Sequence, residues 1–238
     1  MFRITTFSAL VVLIAGVHAS ETTYFFGNGC FWHNQHLFTK EFEQARLGRK
    51  DGELSSTAVY VAGTNEPSPL CYPSSSGFNN HEEFGSAEAV SIAINDEKEF
   101  SLAADIFFGD FQRIAAKTWA RRDVYDQGAQ FRAVVGVPGG IKGKMGGLLE
   151  AANKHNMTLL EGVGSDPDTF EDNSVYVYDT REGGAGTVQE AEICLQYHQD
   201  NNDEEYEEEY KALKQMRVEQ GTLKDNSCPS PNDYIPGC

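Results

Sequence analysis

A chain of 238 residues that is 40% apolar, 11% aromatic and 23% charged has the make-up of a globular protein, not of a disordered or fibrous one. Nineteen Lys and Arg against 36 Asp and Glu leave a formal charge of −17, which argues against nucleic acid and anionic membrane surfaces as partners. Five cysteines are too few for a disulfide-built scaffold, and their odd number leaves at least one thiol over after pairing within the chain.

Met1-Phe2-Arg3 opens an apolar run that ends at Val17-His18-Ala19, the pattern of a secretory signal peptide over 1–19. It predicts a secretory or extracellular location where disulfides persist, and a mature charge of 18 − 36 = −18. No later segment approaches the roughly 18 consecutive apolar residues needed to cross a bilayer. Asn156-Met157-Thr158 would be a glycosylation acceptor in such a compartment.

Short β-branched and aromatic runs at Tyr24–Phe26, Ala58–Ala62, Ala89–Ile94, Phe131–Val137 and Val175–Tyr178 predict strands. Between them, Phe38, Phe42 and Ala45 mark one helix after Cys30, and a broad apolar stripe predicts a second from Phe100 to Trp119. Gly139-Gly140 and Gly146-Gly147 punctuate a weaker helical stretch. Strands alternating with helices imply a layered α/β domain. Seven acids fall between Asp200 and Glu209, followed by Lys211, Lys214 and Arg217 on a long helix whose Tyr206, Tyr210 and Leu213 share a face. Glu207 and Lys211 are ordered for an i,i+4 ion pair, and the acidic run reads as a solvated face. Beyond Gly221 the chain is rich in Pro, Gly and Asn and carries Cys228 and Cys238, placed to move and so suited to thiol exchange.

The segment with most chemistry is Gly27-Asn28-Gly29-Cys30-Phe31-Trp32. A cysteine at the start of a helix meets free backbone N–H groups and the helix dipole, which favour the nucleophilic thiolate. Phe31 and Trp32 behind it form an apolar wall for a methyl or thioether group, unless they simply pack in the core.

These residues resemble the active-site motif of the A-class peptide methionine sulfoxide reductases, with His33 where the family usually has another glycine. Ala62-Gly63, Ser86-Ala87-Glu88-Ala89-Val90 and Asp126-Gln127-Gly128-Ala129-Gln130-Phe131-Arg132 follow in the family's order, so the resemblance covers roughly residues 24 to 163. After that only Ala191-Glu192 and Tyr197-His198-Gln199 echo it. The resemblance implies a ferredoxin-like α/β (α+β) sandwich with an added C-terminal helix and a flexible tail. Together with the N-terminal pattern and the loop-like composition beyond Gly221, it divides the chain into a 1–19 signal peptide, a 20–221 catalytic domain and a 222–238 mobile cysteine-bearing tail.

What the resemblance implies chemically is thiol-dependent reduction of the S epimer of methionine sulfoxide, free or in proteins. Cys30 would attack the sulfoxide sulfur while Glu88, its pKa raised by burial, protonates the departing oxygen. Asp126 would orient the site, and Phe31, Trp32 and Phe131 would hold the substrate. Phe131 and Ser86 replace a family tyrosine and histidine, and Tyr72 is the candidate for the family's other oxygen donor. The sulfenic acid left on Cys30 would be resolved by Cys228, with Cys238 as a second relay. A Cys228–Cys238 staple and a resolving Cys71 are the alternatives, with Cys194 buried on a helix. An external thioredoxin or small dithiol would restore the thiol, with no metal or bound cofactor, in a monomer. Two other readings stand beside this one: a secreted non-catalytic relative binding methionine-like side chains, and a cysteine hydrolase pairing Cys30 with His81.

Overall fold

The computed structural model describes residues 23–122, 124–200, 205–231, 235 and 238, so the signal-peptide segment 1–19 lies outside the described residues. The strands, in chain order, are β1 (Tyr24–Gly27), β2 (Thr57–Val61), β3 (Ala87–Ile92), β4 (Gln112–Ala115), β5 (Thr118–Ala120), β6 (Val134–Val137), β7 (Thr158–Glu161), β8 (Ser174–Asp179) and β9 (Val188–Glu190). The α-helices are α1 (Phe31–Leu37), α2 (Glu97–Gly109), α3 (Lys144–Ala152) and α4 (Glu208–Glu219).

Seven strands form one mixed sheet in the order β7-β8-β6-β1-β3-β2-β9. Its centre, β6-β1-β3-β2, is antiparallel throughout and is connected β1-α1-β2-β3-α2-β6, the split βαβ arrangement of a ferredoxin-like core. The fold class expected from the sequence is therefore present, widened on one edge by the parallel strands β8 and β7 and on the other by β9.

Period-two alternation sorts the side chains onto two faces. Tyr24 and Phe26 enter the large cluster under α2 and α3 with Val90, Ile92, Val135 and Val177, whereas Phe25 joins Val59, Val61 and Tyr178 on the other face. Asp96 caps α2 by accepting the Glu99 amide at 2.8 Å, and Phe100, Ala103, Ala104, Phe107 and Phe108 then fall on its buried side.

Three expectations about the elements need correction. The helix expected from Phe100 to Trp119 ends at Gly109, and Gln112 to Ala120 turn back as the β4–β5 hairpin. Ile114, assigned by its spacing to a buried stripe, is 40% exposed on that hairpin. The strand expected from Phe131 begins only at Val134, because Ala129–Phe131 form a 3-10 turn. The Phe38, Phe42, Ala45 stripe fails at its last member: Phe38–Arg46 is wound as a π-helix, whose wider turn buries Glu43 and leaves Ala45 exposed. Glu43 is satisfied there by the Ser55 and Ser56 amides and by Arg49 at 2.7 Å. The glycine-rich stretch does yield a helix, α3, while β7 and β9 went unrecognised in the sequence.

The C-terminal helix starts at Glu208, so Tyr206 precedes it; Tyr210 and Leu213 are buried from it with Arg217. Lys211 pairs with Glu208 at 2.6 Å rather than with Glu207, which instead approaches His36 at 3.5 Å. The last segment is anchored: Cys228 is bonded to Cys71 and Cys238 to Cys194. Among the described residues no helix is long and apolar enough to cross a membrane.

Candidate active site

The two glycines before Cys30 have separate steric roles. A Cβ on Gly27 would stand 2.4 Å from the Glu88 carbonyl oxygen, so only glycine lets the end of β1 lie this close to β3. Gly29 has φ +86°, a left-handed conformation that turns the chain out of the strand and into α1. Cys30 is the N-cap residue of α1, 8% exposed and the free cysteine among the described residues. Asn34 fixes this start by donating its side-chain N–H to the Cys30 carbonyl at 2.7 Å.

Glu88 reaches the same helix end. Its carboxylate accepts the Phe31 amide N–H at 3.0 Å, from a position on β3 opposite Tyr60. Glu88 is 2% exposed, and burial holds its pKa well above the ordinary carboxyl value. The Phe31 hydrogen bond opposes that rise, and Asp126, Glu82 and Asp200 add to it. His81, fully buried and stacked on Tyr60 at 4.3 Å, puts Nε2 4.0 Å from Glu88 Oε1. Desolvation pushes the His81 pKa down to about 3, so the imidazole beside Glu88 is neutral.

Cys30, Trp32, Tyr72, Pro73, Glu82, Glu88, Asp126, Phe131, Asp200 and Ile235 line one cavity of about 420 Å³. Trp32 and Tyr72 stack at 6.4 Å as one aromatic wall, and His198 stacks on Trp32 at 4.5 Å. The structure thus gathers Cys30, Glu88, Tyr72, Asp126, Trp32 and Phe131, residues separated by up to 101 positions in the chain (131 − 30), around one space. Phe31 is corrected: it has no exposed surface and packs behind the wall against Tyr60 and Tyr72, a core residue instead of a substrate contact.

The expected thiolate at Cys30 is also corrected. Burial first, then the negative charges of Glu88, Asp200 and Asp126, push the thiol well above its usual value, and the Trp32 amide only partly offsets them. The helix start supplies one N–H; desolvation and three acids outweigh it. Cys30 therefore rests as a thiol, and it becomes a nucleophile only when its proton has somewhere to go.

Cys228 and Cys238, expected as resolving thiols, are not free, and the Cys228–Cys238 staple gives way to pairs with Cys71 and Cys194. Cys194 lies in the short 3-10 turn Ile193–Leu195 and is only partly buried. No hydrogen bond joins Cys30 to His81 among the described residues; His81 faces Glu88. Sequence reasoning missed Glu82, Asp200 and Ile235 at the cavity and Glu192 behind it. Glu192 accepts the Tyr72 amide N–H and the Tyr60 hydroxyl, each at 2.8 Å, and so fixes the Tyr72 backbone. The faint Ala191-Glu192 echo was the one sequence sign of that role.

No protein-family model matches the chain, and no curated protein does. Among solved structures it is similar to methionine sulfoxide reductase A of Corynebacterium diphtheriae, at 13% identity over 89% of this chain and 80% of that one, with a TM-score of 0.44.

Proposed function

We propose that the protein reduces methionine sulfoxide to methionine at Cys30, acting on the S epimer. The observation that supports this is a buried thiol and a buried carboxyl, its pKa raised by desolvation, at the same helix end, opening on an aromatic-walled cavity. A sulfoxide is neutral, has an electrophilic sulfur and an oxygen that must leave with protons. Cys30 sulfur attacks the substrate sulfur, Glu88 delivers its proton to the oxygen, and the thiol proton passes back to Glu88. The oxygen is then transferred, so that thiol plus sulfoxide give Cys30 sulfenic acid plus thioether, with atoms and electrons balanced. Trp32 and Tyr72 hold the methyl end, Asp126 orients the polar side, and Phe131 contributes ring contact without a hydroxyl.

With Cys228 and Cys238 already paired, an external thioredoxin or small dithiol is proposed to resolve the sulfenic acid directly. One thiol condenses with it, releasing water, and the second displaces Cys30 as the restored thiol. Secretion is proposed from the 1–19 pattern together with the two disulfides, which suit an oxidising compartment.

The test is consumption of racemic methionine sulfoxide with dithiothreitol, resolved by chiral chromatography. Loss of the S epimer alone, abolished in Cys30→Ser, is expected; no loss, or equal turnover by Cys30→Ser, refutes the reading. The raised Cys30 pKa favours one rival, a non-catalytic protein that binds methionine-like side chains. Saturable binding of a methionine sulfoxide peptide without turnover would establish it.

A further inference from the structure

Behind the Tyr72 wall, the sulfurs of Cys71 and Cys228 and a carboxylate oxygen of Glu192 all lie within 4.8 Å of one another. In the structure the two sulfurs are bonded to each other. We propose that once a dithiol or phosphine opens this disulfide, Cys71, Cys228 and Glu192 form a binding site for one zinc ion.

The donor set and its surroundings support the assignment. Reduction consumes two electrons and two protons and leaves two thiols; zinc then displaces both thiol protons and is held by two thiolates and one carboxylate. The fourth tetrahedral position goes to water or another donor. The Cα atoms of the two cysteines are 5.7 Å apart, so both sulfurs stay within reach of one ion after they separate. Glu192 is buried and already oriented by the Tyr60 hydroxyl and the Tyr72 amide, the kind of outer hydrogen bonding that fixes a carboxylate ligand. Cys71 is buried and Cys228 half-buried, which leaves a path for the ion from the Cys228 side. Two thiolates with one carboxylate select zinc over magnesium or calcium, which prefer all-oxygen shells. Among the described residues no such third ligand stands beside Cys194–Cys238.

The site has a consequence for the cavity. Cys71 immediately precedes Tyr72, so the ion would take over the cross-link between the cavity wall and the C-terminal segment under the reductant that a thiol cycle at Cys30 consumes. Zinc uptake at these three residues is independent of sulfoxide reduction at Cys30 and is measured without turnover.

The full-length protein is reduced with a phosphine, freed of it without air, and titrated with zinc or with cobalt against a chromophoric chelator. One ion per chain is expected, with thiolate-to-cobalt charge transfer and tetrahedral cobalt bands, and none in the unreduced protein. Zinc should protect Cys71 and Cys228, but not Cys194 and Cys238, from iodoacetamide in a mass-spectrometric map. Glu192→Gln should weaken binding at least about tenfold. No uptake by the reduced wild type, protection of Cys194 and Cys238 instead, or unchanged affinity in Glu192→Gln overturns the proposal. If Glu192→Gln does not fold, the alkylation map on the unaltered protein decides alone.

Discussion

Replacing Glu88 by Gln separates the proton donor from the nucleophile. Gln keeps the length of the side chain and an oxygen that can accept the Phe31 amide now held at 3.0 Å, so the start of α1 is preserved. What it lacks is a proton to give. A positioned general acid is worth about 10²–10⁴-fold, or roughly 3–5 kcal/mol of barrier, and kcat/KM for the sulfoxide should fall by that factor. Alkylation of Cys30 should move the other way. Glu88 is the largest electrostatic contribution holding the thiol up, after burial, and the amide removes its charge. Once the pH has passed the elevated Glu88 pKa, so that Glu88 is ionised in the wild type, iodoacetamide should therefore modify Cys30 faster in Glu88→Gln.

Two assays on one preparation check this: S-epimer consumption by chiral chromatography, and the alkylation rate against pH by intact mass. The wild-type activity should also decline as pH rises through the elevated Glu88 pKa, because the donor is lost, and that limb should vanish in the variant. A variant within about tenfold of wild-type turnover, or one whose alkylation slows in parallel with turnover, refutes the division of roles.

Phe131→Tyr should supply the cavity with a hydroxyl and raise kcat/KM about 2–10-fold, the equivalent of one neutral hydrogen bond of about 0.5–1.5 kcal/mol; an unchanged or lower value counts against oxygen binding at that position. His81 is held neutral in the fold with a pKa of about 3, so its contribution to stability is present above the ordinary value of 6.5 and lost as pH falls toward 3. His81→Phe keeps the ring on Tyr60 and should narrow the stability loss between neutrality and a pH of about 4 by roughly 3 kcal/mol, read from urea midpoints. Cys194→Ser with Cys238→Ser opens a cross-link spanning 44 residues and should lower unfolding free energy by about 4 kcal/mol, measured by denaturant titration.

What the sequence revealed was local. Two glycines, a cysteine and two aromatics between a strand and a helix report their own backbone geometry, because φ at Gly29 and the crowding at Gly27 leave no other residue type. The β-branched and aromatic runs marked β1, β2, β3, β6 and β8, but not β4, β5, β7 or β9. The end of α2 was not legible, since the apolar spacing of Phe111 and Ile114 fits a helix as well as the β4–β5 hairpin. The π winding at Phe38–Arg46 depends on burying Glu43 against residues 55 and 56, a contact with no periodic signature. The cysteine partners were invisible for a different reason: Cys71 and Cys228 are 157 residues apart, and spacing carries no information about which pair meets. The direction of the Cys30 pKa was misjudged because the helix start is visible in sequence, whereas Asp200 and Asp126 arrive beside it only through the fold.

The acidity of the chain acquires a specific meaning at the cavity. Glu82, Glu88, Asp126 and Asp200 line it, and among the described residues no lysine or arginine does. A ligand that brings its own carboxylate is opposed there, whereas a sulfoxide within a peptide brings none. One unit charge about 8 Å away at an effective dielectric constant of about 20 costs roughly 2 kcal/mol, up to about thirtyfold in affinity. N-acetylmethionine sulfoxide should therefore show a KM up to about thirtyfold higher than its N-methylamide, with kcat little changed, and the gap should shrink as salt screens the cavity. Equal KM values for acid and amide, or a gap that widens with salt, would mean that Glu82, Asp126 and Asp200 do not select the substrate, and that the side chain alone is read by Trp32 and Tyr72.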